Sequence, residues 1–527
     1  MRKSLNKKRN EIIPEFIDDL TRIYGEFRDS ETRKFNVDGE EDERIVSKVF
    51  HNLDFGFRQI TIERPLRLNF QASPERIEEV RGISAFRNLA KSKKTDKRQV
   101  AADEKARREQ QEAIIAALAT LSPTKLYKER DAFVADLEAA CDHAAIKLAA
   151  PIRKAILAAL SERDEAADIC RNAMGDPEAD SELRDYENVP LREDIREYFD
   201  REVRPHVPDA WINESVKDRK DRQVGRIGYE IPLTREFYKY IPPQPLEHIE
   251  EEIASLEQEF VAKLSEVVGW TSTAVNSTHP YSAKPKRRVR YPEYISTGVW
   301  WLSDVPSSWQ IKRLRYVVRF PTKAEARSFP DDTVVSFVPM EAVGEFGGMN
   351  LDQTRIVTDV LNGYTYFRNN DVVVAKITPC FENGKGAIAK GLENGVGFGT
   401  TELHVLRAGE DIMPEFLFYM TVGEHFRKLG TGEMYGAGGQ KRVPEKFLKN
   451  IRHPLPPLTD QRLIVTFLEA ETARIDELVV GYDITANSKG AMARMAKLIQ
   501  SYRSALISAA VTGQIDVRNY GQEARCQ

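Results

Sequence analysis

Cysteine and histidine are scarce in this sequence. Four cysteines, Cys141, Cys170, Cys380 and Cys526, stand in 527 residues, and no two form a CxxC pair. The eight histidines are scattered. A disulfide framework and a zinc site are both excluded, and the thiols read as free in a reducing cytosol. Long apolar runs are missing too. The N-terminus, MRKSLNKKRNEIIPEF, is basic but lacks the apolar core of a signal peptide. The expectation is a cytoplasmic chain with no membrane segment. Nor does one sign of charge dominate: Lys+Arg 78 against Asp+Glu 82 gives a formal net charge of -4. A bulk polyanion binder is basic, so any nucleic-acid surface here is a local patch.

Catalytic signatures are absent as well. There is no GxxxxGK[ST] phosphate loop, no GxSxG elbow and no HExxH helix. A methyltransferase acting on a flipped base needs an Asn or Asp before Pro-Pro-aromatic to hold the amino group. IPPQP at 241–245 and LPPL at 455–458 lack that residue. No glycine-rich loop follows an apolar strand near the N-terminus to hold a methyl donor. Pro330, Asp331 and Asp332 loosely suggest a nuclease, but no partner carboxylate and lysine follow at a matching spacing. The chain reads as non-catalytic, with no cofactor and no metal.

What is present alternates between helical and mixed stretches. Residues 1–30 read as a helix interrupted near Pro14. In QITIERPLRL, Ile60, Ile62, Leu66 and Leu68 share one parity, which is strand alternation, and Pro65 marks an edge strand or bulge. A helix start follows, with Ser73 as N-cap, Pro74 at the first position and Glu75 in the first turn. Charges of both signs over 73–120 suit a solvated helix or connector. Phe133, Leu137, Ala144 and Leu148 share a helical face, and Pro151 restarts a helix carrying Ile152, Ile156, Leu157 and Leu160. Residues 175–245 are proline-rich loops. Ile249, Ile253, Leu256, Phe260, Leu264 and Val267 then recur every three or four residues, an amphipathic stripe suited to packing on another helix.

Residues 269–290 form a linker ending in KPKRRVR. It is either plainly solvated or a sequence-blind contact to a phosphate backbone. From 291 to 455 the composition turns to short strands and turns. YTYFRNNDVVVAKI reads as strand, Asn-Asn-Asp turn, strand. EFLFYMTVGEHFRKL reads as one helix burying Phe416, Tyr419, Met420 and Phe426. Beyond 458, Ile464, Phe467, Leu468, Ile475, Leu478, Val479 and Tyr482 trace a helix of about 26 residues, roughly 39 Å long. After a break from Asp483 to Gly490, Met495, Leu498, Ile499, Tyr502 and Leu506 trace another.

Several of these segments carry a family resemblance. WLSDVPSSWQIKRLRYVV at 301–318 resembles the opening of a target-recognition domain in type I restriction-modification specificity subunits. YFRNNDVVVAKITPCFENGKGAIA at 366–389 is similar to that domain's interior. GAGGQKRVPEKFLKNIRHPLPPLTDQRLIVTFLEAETARIDELV at 436–479 is similar to its junction with a spacer helix, and LIQSYRSALISAAVTGQIDVR at 498–518 to the family's C-terminal end. Earlier in the chain, FHNLDFGFRQITIERPLRLNFQ at 50–71, NVPLREDIREYFDREVRPHVPDAWI at 188–212 and IGYEIPLTREFYKYIPPQPLEHIEEEI at 227–253 resemble the C-terminal part of a modification (methyltransferase) subunit, without the catalytic core.

The resemblance implies an α+β chain in five parts: a mainly helical modification-subunit-like region at 1–268, the basic linker at 269–290, a compact α+β target-recognition domain at 291–455, long spacer helices at 456–518 packing as a helical bundle, and a tail at 519–527. It implies a DNA-binding specificity subunit that reads one half-site of double-stranded DNA and recruits type I modification and restriction subunits. Two copies joined through the spacer helices would read an inverted repeat. Loop residues that suit base edges are Lys376, Thr378, Asn383, Lys385, Tyr435, Gln440, Lys441 and Arg442: Lys and Arg for guanine, Asn and Gln for adenine. The same glycine-rich loops also suit a purely structural turn. Candidate subunit-interface residues are Ile253, Leu256, Phe260, Leu264, Ile464, Phe467, Leu468, Ile475, Leu478, Leu498 and Tyr502. Their stripes are expected to pack together, within one chain or between two. The alternative is an interaction protein, or a gene-fusion remnant, that occupies modification subunits without reading DNA.

Overall fold

Ile60 and Ile62 are buried, as their alternation requires, but so are Thr61 and Glu63 between and beside them. Both faces of this strand are therefore covered. In the computed structural model it runs Gly56–Glu63 and is central rather than an edge. It pairs antiparallel with Asp185–Pro190 on one side and Arg226–Tyr229 on the other. Pro65 lies beyond its end, where its missing N–H breaks no ladder. The structure describes residues 2–6, 9–12, 14–37, 40–91, 97–268, 289–323, 325–436, 439–481, 491–518 and 520. Of the described residues, helix accounts for 41% and strand for 23%. The chain divides into two compact units, Phe50–Ile231 and a second combining Met1–Val49 with Pro232–Gln527.

In the first unit the central sheet packs Ile60, Ile62 and Val189 on Tyr198, Phe199 and Val203. A second core gathers Phe70, Val80, Phe86, Ile114, Leu118, Phe133, Leu137 and Ile156 from a short strand pair and five helices. The helix Pro74–Gly82 opens as expected: the Ser73 hydroxyl accepts from the Arg76 N–H, with Pro74 in the first turn. The helix Arg130–His143 stops earlier than the expected stripe. Ala145 takes a positive φ of 51° there, which ends the helix before Leu148. Glu63 is 1% exposed and carries a charge that must be matched. Arg184 reaches both its oxygens at 2.9 and 3.0 Å, and the Asn213 amide donates at 2.8 Å.

In the second unit Pro14 opens the helix Pro14–Glu26 instead of interrupting one. A proline in the first turn loses no helical hydrogen bond. The residues before it are antiparallel strands, Arg2–Asn6 with Arg9–Ile12, not helix. The C-terminal part of this unit holds two four-stranded sheets. One runs Val318–Arg319, Leu403–Ala408, Val372–Ala375, Gly386–Ile388; the other runs Thr354–Ile356, Val334–Val338, Val396–Gly399, Thr365–Arg368. The Asn-Asn-Asp turn lies between two strands, as expected, but they belong to different sheets. It is a sheet-switching corner, not a hairpin. Asp371 fixes the corner by accepting from the Arg368 N–H at 2.9 Å. The expected single helix over 415–429 is two, Pro414–Val422 and Glu424–Gly432, parted at Gly423. A Cβ at Gly423 would sit 2.7 Å from the His425 ring. Phe416, Tyr419, Met420 and Phe426 are all buried.

Three long helices, Leu246–Val268, Leu458–Gly481 and Ala491–Val511, share one core with the first of these sheets, while the second packs in cores separate from that one. Leu246, Ile249, Ile253 and Leu256 join Ile464, Phe467, Leu468, Ile475, Met495, Ile499, Tyr502 and Leu506 there, with Leu498 half-buried against it. The stripes meet within one chain. The side chains of Phe260, Leu264, Val267 and Leu478, residues 482–490, and nearly all of the linker and tail lie outside the described residues. The expected boundary at 268 therefore does not part compact units, because Leu246–Val268 packs with the C-terminal region. Among the described residues no helix is long and apolar enough to cross a membrane.

Candidate nucleic-acid interface

The strand Val372–Ala375 is buried throughout and ends where the candidate residues begin. The Lys376 N–H donates to the Glu402 carbonyl at 2.9 Å, and the Val443 N–H donates to the Lys376 carbonyl at 2.8 Å. A bridge from Ile377 to Arg442 then brings the loops ITPCFENGK and YGAGGQKR side by side, and another from Tyr435 to Arg442 closes the second loop on itself. Thr378 latches them. Its N–H donates to the Lys441 carbonyl at 3.0 Å, and its hydroxyl accepts from the Lys441 N–H at 2.8 Å. The hydroxyl in turn donates toward the carbonyl oxygens of Lys441 and Gly439, 3.0 and 3.2 Å from its Oγ1. Phe381 anchors the loop in the core at 1% exposure. Gly430 makes room for it, since a Cβ there would sit 2.4 Å from the Phe381 ring.

Four of the eight candidates have their polar groups engaged inside the protein. Arg442 grips Glu402 with Nε and Nη2 at 2.8–3.1 Å. That hydrogen bond and charge hold the Glu402 carboxyl below its ordinary value. Thr378 is the latch. The Lys385 ammonium donates to the Met340 carbonyl at 3.2 Å, and the Asn383 amide donates to Glu345 at 3.0 Å. Redirecting such a group to a base would first break the internal bond. Lys376 is half-buried, whereas Tyr435, Gln440 and Lys441 are exposed, Tyr435 at 63%. The exposed rim of the joined loops is therefore Tyr435, Gln440 and Lys441, with Lys376 at its base.

Sequence reading missed a third loop, Met340–Met349. The Gly344 N–H donates to the Gly348 carbonyl, and the Phe346 N–H to the Gly384 carbonyl, each at 3.0 Å. The signal was the GEFGG run: Phe346, Gly347 and Gly348 all take positive φ, which two of three residues accept freely. It also missed the group that secures the strand framework. Asp371 is fully buried. Arg407 binds it through Nε at 2.7 Å and Nη2 at 2.9 Å, and binds Glu325 at 2.7 and 2.9 Å. Burial works against the Glu325 charge, but the Arg407 contacts outweigh it and lower the carboxyl below its usual range. Among the described residues no group of three or more His, Cys, Asp or Glu is placed to hold a metal.

This arrangement coincides with a known domain. Residues 306–478 match the family model described as the type I restriction modification DNA specificity domain. The chain is 40% identical over 169 residues to the type I restriction enzyme EcoAI specificity subunit of Escherichia coli, covering 32% of this chain and 28% of that protein. It is 38% identical over 167 residues to the EcoEI specificity subunit of the same organism, covering 31% and 28%. The matched segment thus spans little more than a quarter of those relatives. Among solved structures, the HsdS subunit from Thermoanaerobacter tengcongensis aligns over 34% of this chain and 46% of its own, at 22% identity and a TM-score of 0.29.

Proposed function

We propose that this chain is a sequence-specific DNA-binding specificity subunit of a type I restriction-modification system, and that it is not itself an enzyme. The observation that carries this reading is the family match over 306–478, which encloses all eight loop candidates. In this reading Tyr435, Gln440, Lys441 and Lys376 face one half-site, while Thr378, Asn383, Lys385 and Arg442 hold the loops in shape. Lys441 and Lys376 suit guanine edges or phosphate, and Gln440 suits adenine. Modification and restriction subunits are the proposed partners, and two copies of the chain would read an inverted repeat.

The first 268 residues, read as the C-terminal part of a modification subunit, give the chain a modification-type helix of its own. That helix, Leu246–Val268, already has its apolar face buried at Ile249, Ile253 and Leu256. A decoy acting by lending this helix to another subunit would have to extract it first, so the DNA-reading function is favoured over the decoy.

The test is selection from a random duplex library at moderate salt, with and without a separate type I modification subunit. A two-part motif with a fixed gap is expected. Retention without any enriched motif in either condition would refute DNA reading.

A further inference from the structure

Phe346 stands at the tip of the third loop with φ +59°, a conformation costly for a bulky side chain. Something must hold it there. Two guanidinium groups lie over its ring, Arg427 at 5.1 Å and Arg503 at 5.7 Å from the centroid. Each arginine is fixed from elsewhere. Arg427 donates Nη1 to the Glu382 carbonyl at 2.6 Å, Nη2 to the Ser504 hydroxyl at 2.9 Å and Nε to the Val422 carbonyl at 3.0 Å. Arg503 is 7% exposed and pairs with Asp476 on the neighbouring long helix. Its Nε is buried without a hydrogen-bond partner, and the Phe346 ring adds a cation–π contact to the charge that Asp476 pairs.

The contacts converge on two loops and one helix. The Phe346 N–H reaches Gly384, the Gly386 N–H reaches the Gly344 carbonyl at 3.1 Å, and Asn383 reaches Glu345. The loops at 344–348 and 378–385 are thereby joined edge to edge. Arg427 fixes the second loop at Glu382 and reaches Ser504 on the helix Ala491–Val511. We propose that Phe346 is a positioning residue: clamped by Arg427 and Arg503, it holds both loops in one register and ties that register to the helix Ala491–Val511. This rests on the DNA-reading function proposed above. Phe346 acts through the loops' geometry and does not itself touch a base.

Phe346→Leu keeps most of the volume but removes the ring face that the cations need. Phe346→Tyr keeps that face. Each full-length protein would be passed through the duplex library, then measured against the enriched duplex and a scrambled one, with thermal unfolding in parallel. Phe346→Leu should lose roughly tenfold in preference for the enriched duplex, with affinity for the scrambled duplex unchanged within about twofold, because backbone contacts do not depend on loop register. Phe346→Tyr should retain the wild-type preference. An equal drop in affinity for both duplexes would mark a merely structural residue and overturn the proposal. So would a Phe346→Leu protein with wild-type preference. A wild-type chain that enriches no motif would overturn the DNA-reading function, and this proposal with it.

Discussion

Lys441 and Arg442 are neighbours to which the proposed function gives different duties, and the difference is measurable. Lys441 is exposed, whereas Arg442 is closed on Glu402. Lys441→Ala should weaken binding to every duplex alike and reduce the slope of log affinity against log salt by about 1, as expected for one lost phosphate contact. Arg442→Ala should instead lower the thermal midpoint through the loosened loop pair. Arg407 sits in a more demanding place: its loss leaves Asp371 charged, fully buried and deprived of its ion pair. Arg407→Ala should cost about 3 kcal/mol in chemical denaturation; a cost below about 1 would show that the nearby Arg368 guanidinium and water rearrange to cover the gap. The residue types at the site were legible in the sequence, because glycine-rich loops carrying Gln, Lys and Arg are visible there. Their division into exposed and internally bonded side chains was not. Whether Arg442 is available depends on Glu402, forty positions away, and only the folded register brings them together.

Among the elements, those governed by local chemistry were readable. The Ser73 cap, the restart at Pro151 and the three long apolar stripes all follow from neighbouring residues. The departures came from distant packing. Strand Gly56–Glu63 read as an edge because of Pro65, which falls beyond its end, and the strands that pair on its two sides stand more than 120 residues later. Gly423, following the β-branched Thr421 and Val422, leaves the helical conformation at ψ 142° and divides the helix, while the His425 ring, packed against a distant part of the chain, leaves no room for a Cβ there. The helix Leu246–Val268 supplies a test at this scale. Leu256 is 7% exposed within the shared core. Leu256→Ala should cost about 3 kcal/mol and expose this helix to limited proteolysis before either sheet is attacked. Simultaneous loss of helix and sheets would mean that they unfold as one.

The whole molecule carries a dependence on acidity within its core. His425 and His453 are both buried, with their Nε2 atoms 3.0 Å apart, and Trp301 stacks on His425. His453 Nδ1 donates to the Pro454 carbonyl at 2.8 Å. Its Nε2 is then the acceptor, so His425 must donate its Nε2 proton and keep Nδ1 bare. Burial pushes His453 down to about 4 and His425 well below its usual value, the latter helped by His453 and Arg427. His404, bonded to the Val443 carbonyl, is lowered by burial as well. These groups are neutral when folded and gain protons when unfolded. Their contribution is complete above an unfolded pKa of about 6.5 and is lost as pH falls from there toward the folded values. The urea midpoint should therefore be lower at pH 5 than at pH 7, and His425→Phe should flatten that difference. A pH-independent midpoint would show the pair to be hydrated. Another consequence belongs to the way Leu246–Val268 is held. Its buried face is gripped by side chains rather than by continuity of the chain, so the peptide bonds between 268 and 289 are dispensable for keeping it in place. Residues 1–268 and 289–527, produced as two polypeptides, should assemble into a one-to-one complex that survives purification, and the molecule would then behave as a protein of two chains.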